Sequence, residues 1–307
     1  MSTEITTRLD AQFDTCSVVQ QIHDVPPHAV YEVTVDGRRA VYKTDTGQTG
    51  RAAMEGHVTR FVGENTTIPV PETLYVGDDY YVAAWHDDAP APDDGQTADE
   101  DWAFAAGAGL ARLHDETAPL VDSYGAFRST AGGLSVDGHE QWHEAATDYV
   151  RGRRPVLDRH GHADMADLVL KYLEAHPNAF AGAGEAVCCH GWATPDHVSV
   201  VDEEIACLLD FEHAIAAPVE YDYWRAVGPT FGPDSDDDAR NAFRKGYESI
   251  RSLPDEFDRR APLYALLNFV FFFESLYVQD QHGPAETAEK AAQFRKTINN
   301  ILDDLKA

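Results

Sequence analysis

A chain of 307 residues with 43% hydrophobic content is long enough to bury a sizeable core, has room for two lobes or one large domain, and is too apolar to be disordered. Its 53 acidic against 24 basic residues leave a formal charge of −29, which argues against nucleic-acid and anionic-membrane partners in dilute salt. Only six of the basic residues are Lys, and hydrated carboxylates in such excess match a halophilic composition; at about 1 M salt the Debye length is near 3 Å, so only local patches of charge then matter. Four cysteines (Cys16, Cys188, Cys189, Cys207) are too few for a disulfide scaffold and read as free thiols of a cytoplasmic protein. Residues 1–10 are polar and show no signal-peptide core.

In chain order, residues 8–23 suit either a strand or a short helix. Val30–Val33 and Arg39–Lys43 are strands joined by an Asp36-Gly37 hairpin turn. A helix is expected over 48–62, with Met54, Val58, Phe61 and Val62 on one face, followed by strands at 73–76 and 80–85. The Pro- and Gly-rich acidic run 86–101 reads as a connection between lobes.

Thr97-Ala-Asp-Glu100 has the form of a capping box, ahead of Trp102, Ala106, Leu110 and Leu113 at helical spacing. Residues 120–136 read as loop, and helices are expected at about 138–158 and 162–175. Arg151, Arg153 and Arg154 are the densest basic cluster; the reading preferred is a solvated helix face, and the other is guidance of an anionic substrate. Further helices are expected at about 236–251, 261–278 and 286–305. The second is nearly of membrane-spanning length, but Asn268, Glu274 and acidic flanks favour a buried core helix.

The stretch 188–222 carries the chemistry. Val198–Val201 and Ile205–Leu209 flank Asp202-Glu203-Glu204 as a hairpin, with a polar loop from His190 to His197 entering it and Asp210 leaving it. Cys188, Cys189, His190 and Cys207 match no C-x-x-C zinc spacing, and neighbours on a strand point to opposite faces, so buried thiols are the better account.

This pattern resembles the aminoglycoside phosphotransferase and choline kinase family of the protein-kinase-like fold, whose catalytic loop reads H-G-D-x-x-x-x-N with a metal-binding Asp after the next strand. His190, Gly191, the spacing and Asp210 match, and Asp210-Phe211-Glu212 follows the family's D-[FW]-E pattern. Leu110-Ala-Arg-Leu-His114 is similar to its Leu-Ala-x-Leu-His signature, and Lys43 and Glu55 stand where it has a phosphate-clamping Lys and the helix Glu that orients it. Two positions depart. Trp192 stands in place of the catalytic Asp, and His197 in place of the Asn, as in some macrolide phosphotransferases.

The resemblance implies an α+β, two-lobed kinase-like protein, with a small antiparallel-sheet lobe (1–86) and a larger, mostly helical lobe (87–307). It implies a hinge near 85–87 offering backbone groups to a base edge, and a phosphate-covering loop at 25–29 that here holds two prolines and no glycine. ATP or GTP with Mg²⁺ would be held by Lys43, Glu55, Asp210 and His197, the imidazole making Mn²⁺ possible. Asp222 would accept hydrogen bonds from the catalytic loop. The catalytic positions are His190, Trp192 and Asp196, the last a substitute base, because indole has no acceptor for a proton. The partner implied is a small hydroxylated or amino acceptor; the alternative is a pseudokinase-like module binding nucleotide, metabolite or protein without turnover.

Overall fold

The computed structural model describes residues 2–47, 49–90, 96–130, 133–232 and 237–306. Helix α1 (Ser2–Asp10) leads into three antiparallel strands, β1 (Cys16–Val25), β2 (His28–Val35) and β3 (Arg38–Asp45). Helix α2 (Ala52–Asn65) crosses behind them, and β4 (Thr73–Val76) and β5 (Tyr80–Ala84) complete a five-stranded sheet in the order β1-β2-β3-β5-β4. The ambiguous opening stretch is therefore the end of a helix followed by a strand. The Asp36-Gly37 turn forms as its sequence requires: Val35 pairs with Arg38, and both turn residues have positive φ, 48° and 76°. Val33, Val35, Ala40, Tyr42 and Val82 share one buried cluster with Ile5 and Leu9 of α1.

Helix α2 begins at Ala52, later than the expected residue 48, because the Asp45 carboxylate accepts from the Ala52 amide at 2.8 Å and caps it there. Met54, Val58 and Val62 are buried, as the periodicity required.

The larger lobe opens with α3 (Glu100–Thr117). Its cap is Asp99, which accepts from the Trp102 amide at 2.9 Å, so the expected cap at Thr97 lies two residues early. The segment expected to be loop holds a hairpin, β6 (Gly125–Thr130) and β7 (Gly133–Val136); its strands are too short, six and four residues, for their few apolar side chains to announce a period. Helices α4 (Trp142–Arg159) and α5 (Ala163–Ala175) follow, then β8 (Val187–Cys189), the hairpin β9 (Val198–Val201) and β10 (Glu204–Leu208), and β11 (Ile215–Ala217). β11 pairs with β6 and β8 to give a second sheet, β7-β6-β11-β8. Helices α6 (Val219–Thr230), α7 (Asp237–Ile250), α8 (Phe257–Val278) and α9 (Pro284–Asp304) finish the lobe. Part of the 86–101 connection, Gly132 and most of the acidic loop before α7 lie outside the described residues.

Helix α8 is long and apolar enough to cross a bilayer. It is instead a core helix, with Tyr264, Leu267, Val270 and Phe273 fully buried. Helices α3 and α7 meet backbone to backbone: a Cβ on Gly107 would collide with the Phe243 carbonyl, and one on Gly246 with the Phe104 carbonyl. This contact generates a paired prediction. Gly246→Ala is expected to destabilise by about 1–3 kcal/mol through overpacking. Gly228→Ala, on the exposed side of α6 with open space around it, is expected to stabilise by about 0.5–1 kcal/mol. Urea denaturation of the two variants checks both signs.

Candidate active site

Lys43, near the end of β3, is buried and is the point where the two lobes meet. Its Nζ lies 2.7 Å from Glu55 of α2, 2.9 Å from Asp210 and 3.2 Å from Glu212, the last two on the segment leaving β10. Burial opposes the lysine's charge, but Asp210, Glu55 and Glu212 outweigh it and hold the pKa well above its ordinary value. Glu55 shares its cation with the others: burial pushes its carboxyl up to about 7 against the pull of Lys43. The Tyr81 hydroxyl donates to the second Glu55 oxygen at 2.7 Å and fixes the carboxylate on its helix.

Asp210 sits in the left-handed region, φ 70°, which turns its side chain back toward β3. Its other oxygen lies 3.5 Å from His197 Nε2. His197 Nδ1 is 3.1 Å from the Trp192 carbonyl, which can only accept, so Nδ1 carries a proton and Nε2 is the nitrogen that faces Asp210. A ring nitrogen fixed by a backbone carbonyl while the other faces a carboxylate is the donor arrangement a divalent cation uses. The residues at hand therefore fit a metal. Burial and Glu212 push Asp210 up, yet Lys43 and His197 hold it below the usual carboxylate range.

His190 is buried and makes two loop contacts: Nε2 donates to the Leu209 carbonyl at 2.9 Å, and Nδ1 accepts from the Trp192 amide at 3.1 Å. Burial lowers its pKa to about 4, so the ring is neutral, and both nitrogens are occupied by backbone. Asp222, fully buried on α6, takes the His190 and Gly191 amides at 2.6 and 2.8 Å and the ring of His114 at 3.0 Å. This is the loop-supporting position expected for Asp222. His114 also meets the Tyr247 hydroxyl at 2.9 Å and belongs to the same buried network. Cys16, Cys188, Cys189 and Cys207 are free thiols; burial drives Cys189 well above its ordinary pKa, leaving an unreactive core thiol.

Trp192 is half-buried against Phe271 and Phe272 of α8 and against His213, with ring centroids 5.7–6.4 Å apart. Asp196, whose side chain is 63% exposed, accepts from the Thr194 hydroxyl and lies 3.7 Å from His197 Nε2. At the expected hinge, the Trp85 amide donates to the Arg39 carbonyl at 3.0 Å and the His86 carbonyl accepts from Ala89 at 3.1 Å, so neither faces outward.

The sequence reading missed His28, Glu212 and His213. His28 Nδ1 lies 2.7 Å from Glu212, so the Pro-rich β1–β2 turn reaches the site through an imidazole where glycine amides were sought. The signal available was a histidine opening β2 and a Glu-His pair just after Asp210, in the turn that follows β10. Glu212 also takes His213 Nε2 at 3.0 Å. Beside them opens a cleft of about 600 Å³, lined by Pro27, His28, Glu212, His213 and Arg225, among others.

The sequence profile of the phosphotransferase enzyme family matches residues 23–263. The chain belongs to that family. Solved structures agree on a protein-kinase-like fold at low identity. A protein assigned as a fructosamine-3-kinase, from Thermobifida fusca, is 17% identical, with TM-score 0.66 over 96% of this chain and 98% of its own. A thermostable mutant of aminoglycoside phosphotransferase APH(4)-Ia, in ternary complex with ADP and hygromycin B, is 14% identical, with TM-score 0.66 over 98% of each chain. A microcompartment-associated aminopropanol kinase is 15% identical, with TM-score 0.64 over 96% of this chain and 95% of its own. No curated protein sequence matches the chain.

His28 gives the site a pH dependence. Burial opposes its charge, but Asp45 and Glu212 raise its pKa from 6.5 to about 9. Nε2 is approached both by Asp45 (3.4 Å) and by the Arg51 amide (3.2 Å), so protonation selects the carboxylate. A folded pKa above the unfolded one stabilises fully below pH 6.5, and the benefit fades as pH rises through 9; the difference corresponds to about 3 kcal/mol. Urea midpoints measured from pH 6 to 9.5 are expected to fall more steeply for the wild type than for His28→Gln. Parallel curves would show that His28 carries no charge in the fold.

Proposed function

We propose that this phosphotransferase-family protein transfers the terminal phosphate of ATP or GTP to a small-molecule acceptor, with a divalent metal ion, in the cytoplasm. The observation that carries the reading is Lys43 bonded at once to Glu55 and Asp210, a fixed cation placed where nucleotide phosphates and a metal carboxylate must meet. Asp210 and His197 would hold Mg²⁺ or Mn²⁺, which neutralises phosphate charge when bound. Lys43 holds phosphate oxygens, and Glu55 with Tyr81 keeps it from swinging away. In the transfer, the terminal phosphorus loses its bond to the bridging oxygen and gains one to the acceptor oxygen, whose proton leaves to a base.

Trp192 cannot be that base, since indole only donates. His213 is better placed than Asp196. It lines the cleft beside Arg225 and Phe271, whereas Asp196 does not contribute to that wall. Burial pulls His213 below its ordinary pKa against the pull of Glu212, so at neutral pH the ring is free to accept a proton. We assign the acceptor's proton to His213.

A second reading, a binding module without turnover, draws on the aromatic plug that Trp192 forms with Phe271 and Phe272. Two measurements separate the readings. Thermal stabilisation by nucleotide with Mg²⁺ or Mn²⁺ is expected in both and is expected to disappear in Lys43→Met. Nucleotide hydrolysis with water as acceptor is expected only of the enzyme, with His213→Asn lowering it by roughly 10²-fold and Asp196→Asn leaving it within about threefold. The reverse order would move the base to Asp196, and no hydrolysis under any condition would leave the module.

A further inference from the structure

Five arginines line the cleft beside His213: Arg51, Arg128, Arg153, Arg159 and Arg225. Its wall holds four acidic residues, one fewer, in a chain where acids outnumber bases 53 to 24. Each of those acids already has a cation. Asp137 pairs with Arg128 at 2.9 Å, Asp148 with Arg151, Glu274 with Arg153 at 3.2 Å, and Glu212 with Lys43 and His28. Arg51, Arg159 and Arg225 have no carboxylate within ion-pair distance among the described residues.

Arg225 is the telling member. Its side chain is completely buried, which a guanidinium tolerates only with a counter-charge or a full set of acceptors. It has neither. Nε donates to the Gly191 carbonyl, Nη1 reaches the Tyr149 hydroxyl and Asn268 Oδ1 at 3.4 Å each, and Nη2 has no hydrogen-bond partner among the described residues. The guanidinium carbon lies 3.6 Å from the Phe271 ring centroid, which shields it without neutralising it. Arg153 is similarly incomplete: it lies over the Tyr149 ring at 3.4 Å and touches Glu274, yet its Nε makes no hydrogen bond of good geometry. Arg51 completes the set, its charge disfavoured by desolvation and then by Arg153 and Arg128.

Resting on the phosphotransferase reading above, we propose that this cleft is the acceptor site and that the acceptor is an anion, a small hydroxylated carboxylate or phosphate ester whose negative group is gripped by Arg153 and Arg51 and balances the unpaired charge of Arg225 buried behind them. Planar guanidinium forks suit both oxyanions. The hydroxyl to be phosphorylated then lies on the His213 side of the cleft. A polycationic aminoglycoside would meet repulsion here.

The test is calorimetric titration of the full chain, in low and in molar KCl, with glycerol 3-phosphate, glycerate, glycerol and hygromycin B. Both anions are expected to bind at least about tenfold more tightly than glycerol, and hygromycin B not at all. Arg51→Gln, an exposed position, is expected to weaken the anions about tenfold, as is Arg153→Gln; Arg225→Lys adds a third check if it folds. Saturating AMP-PNP is expected not to displace the anions. Equal binding of glycerol, tighter binding of hygromycin B, anion affinity unchanged in both Arg51→Gln and Arg153→Gln, no anion binding at millimolar concentration, or displacement by AMP-PNP would each overturn the proposal. Nucleotide stabilisation, read separately through Lys43→Met, keeps the two readings apart. Anions that bind a protein indifferent to nucleotide would end the phosphotransferase reading and leave the anion site. Nucleotide stabilisation without anion preference would do the opposite.

Discussion

A single buried ammonium organises the molecule. Lys43 belongs to the five-stranded sheet, Glu55 to the helix behind it, and Asp210 and Glu212 to the segment that leaves the β9–β10 hairpin of the other lobe. A lysine taken out of water is tolerated only if negative charge replaces the lost hydration, and here three carboxylates do so. Two of them would repel if the cation were removed, so Lys43 is as necessary to the acids as they are to it. Everything else at the site holds one of these partners: Tyr81 holds Glu55, His197 faces Asp210, and His28 and His213 meet Glu212. The same crowding explains why Glu55 is the carboxyl pushed upward while Asp210 is held down, since the lysine cannot satisfy all three equally.

Trp192 is accommodated because the loop's shape does not depend on the residue at that place. Asp222 takes the His190 and Gly191 amides, His190 ties Leu209 to the Trp192 amide, and Arg225 takes the Gly191 carbonyl. The backbone is held from below by α6, leaving the side chain at position 192 to point where its chemistry sends it. An indole goes to the aromatic wall of α8. That wall also covers Arg225, so the change at position 192 and the buried guanidinium belong to one local environment: Trp192, Phe271 and Arg225 lie in mutual contact.

Most of the fold was legible because its signals are local. The Asp36-Gly37 turn, the apolar face of α2, the Leu110 helix and the hairpin before Asp210 each carry a period or a turn residue that specifies them. Lys43, Glu55 and Asp210 were legible as a set from their resemblance to a known spacing, and the structure brings them together. Legibility ended where partners are distant in the chain. Nothing near His28 announces that it will meet Glu212, and nothing near Arg225 announces that it will lack a carboxylate. The 125–136 hairpin stayed hidden because its strands are only six and four residues long and place few apolar side chains, chiefly Phe127, Leu134 and Val136, too few to set a period.

Arg151, Arg153 and Arg154 show the same limit in electrostatic form. As a run they look like one solvated face, but a helix separates them. Arg154 pairs outward with Asp167 at 2.6 Å, Arg151 meets Asp148 at the surface, and Arg153 turns inward over Tyr149 toward Glu274. Position within a turn of α4 thus decides whether an arginine serves solubility or lines the cleft. In a chain of charge −29 the distinction is sharp. Surface acids make the surroundings repel anions at long range, and salt screens that repulsion within a few ångströms. Inside the cleft, where Arg225 is buried without a counter-charge and Arg153 is half-buried, attraction operates at short range and is screened far less. A molecule acidic overall can therefore discriminate in favour of an anion, provided the discrimination is made after the ligand has left bulk solvent.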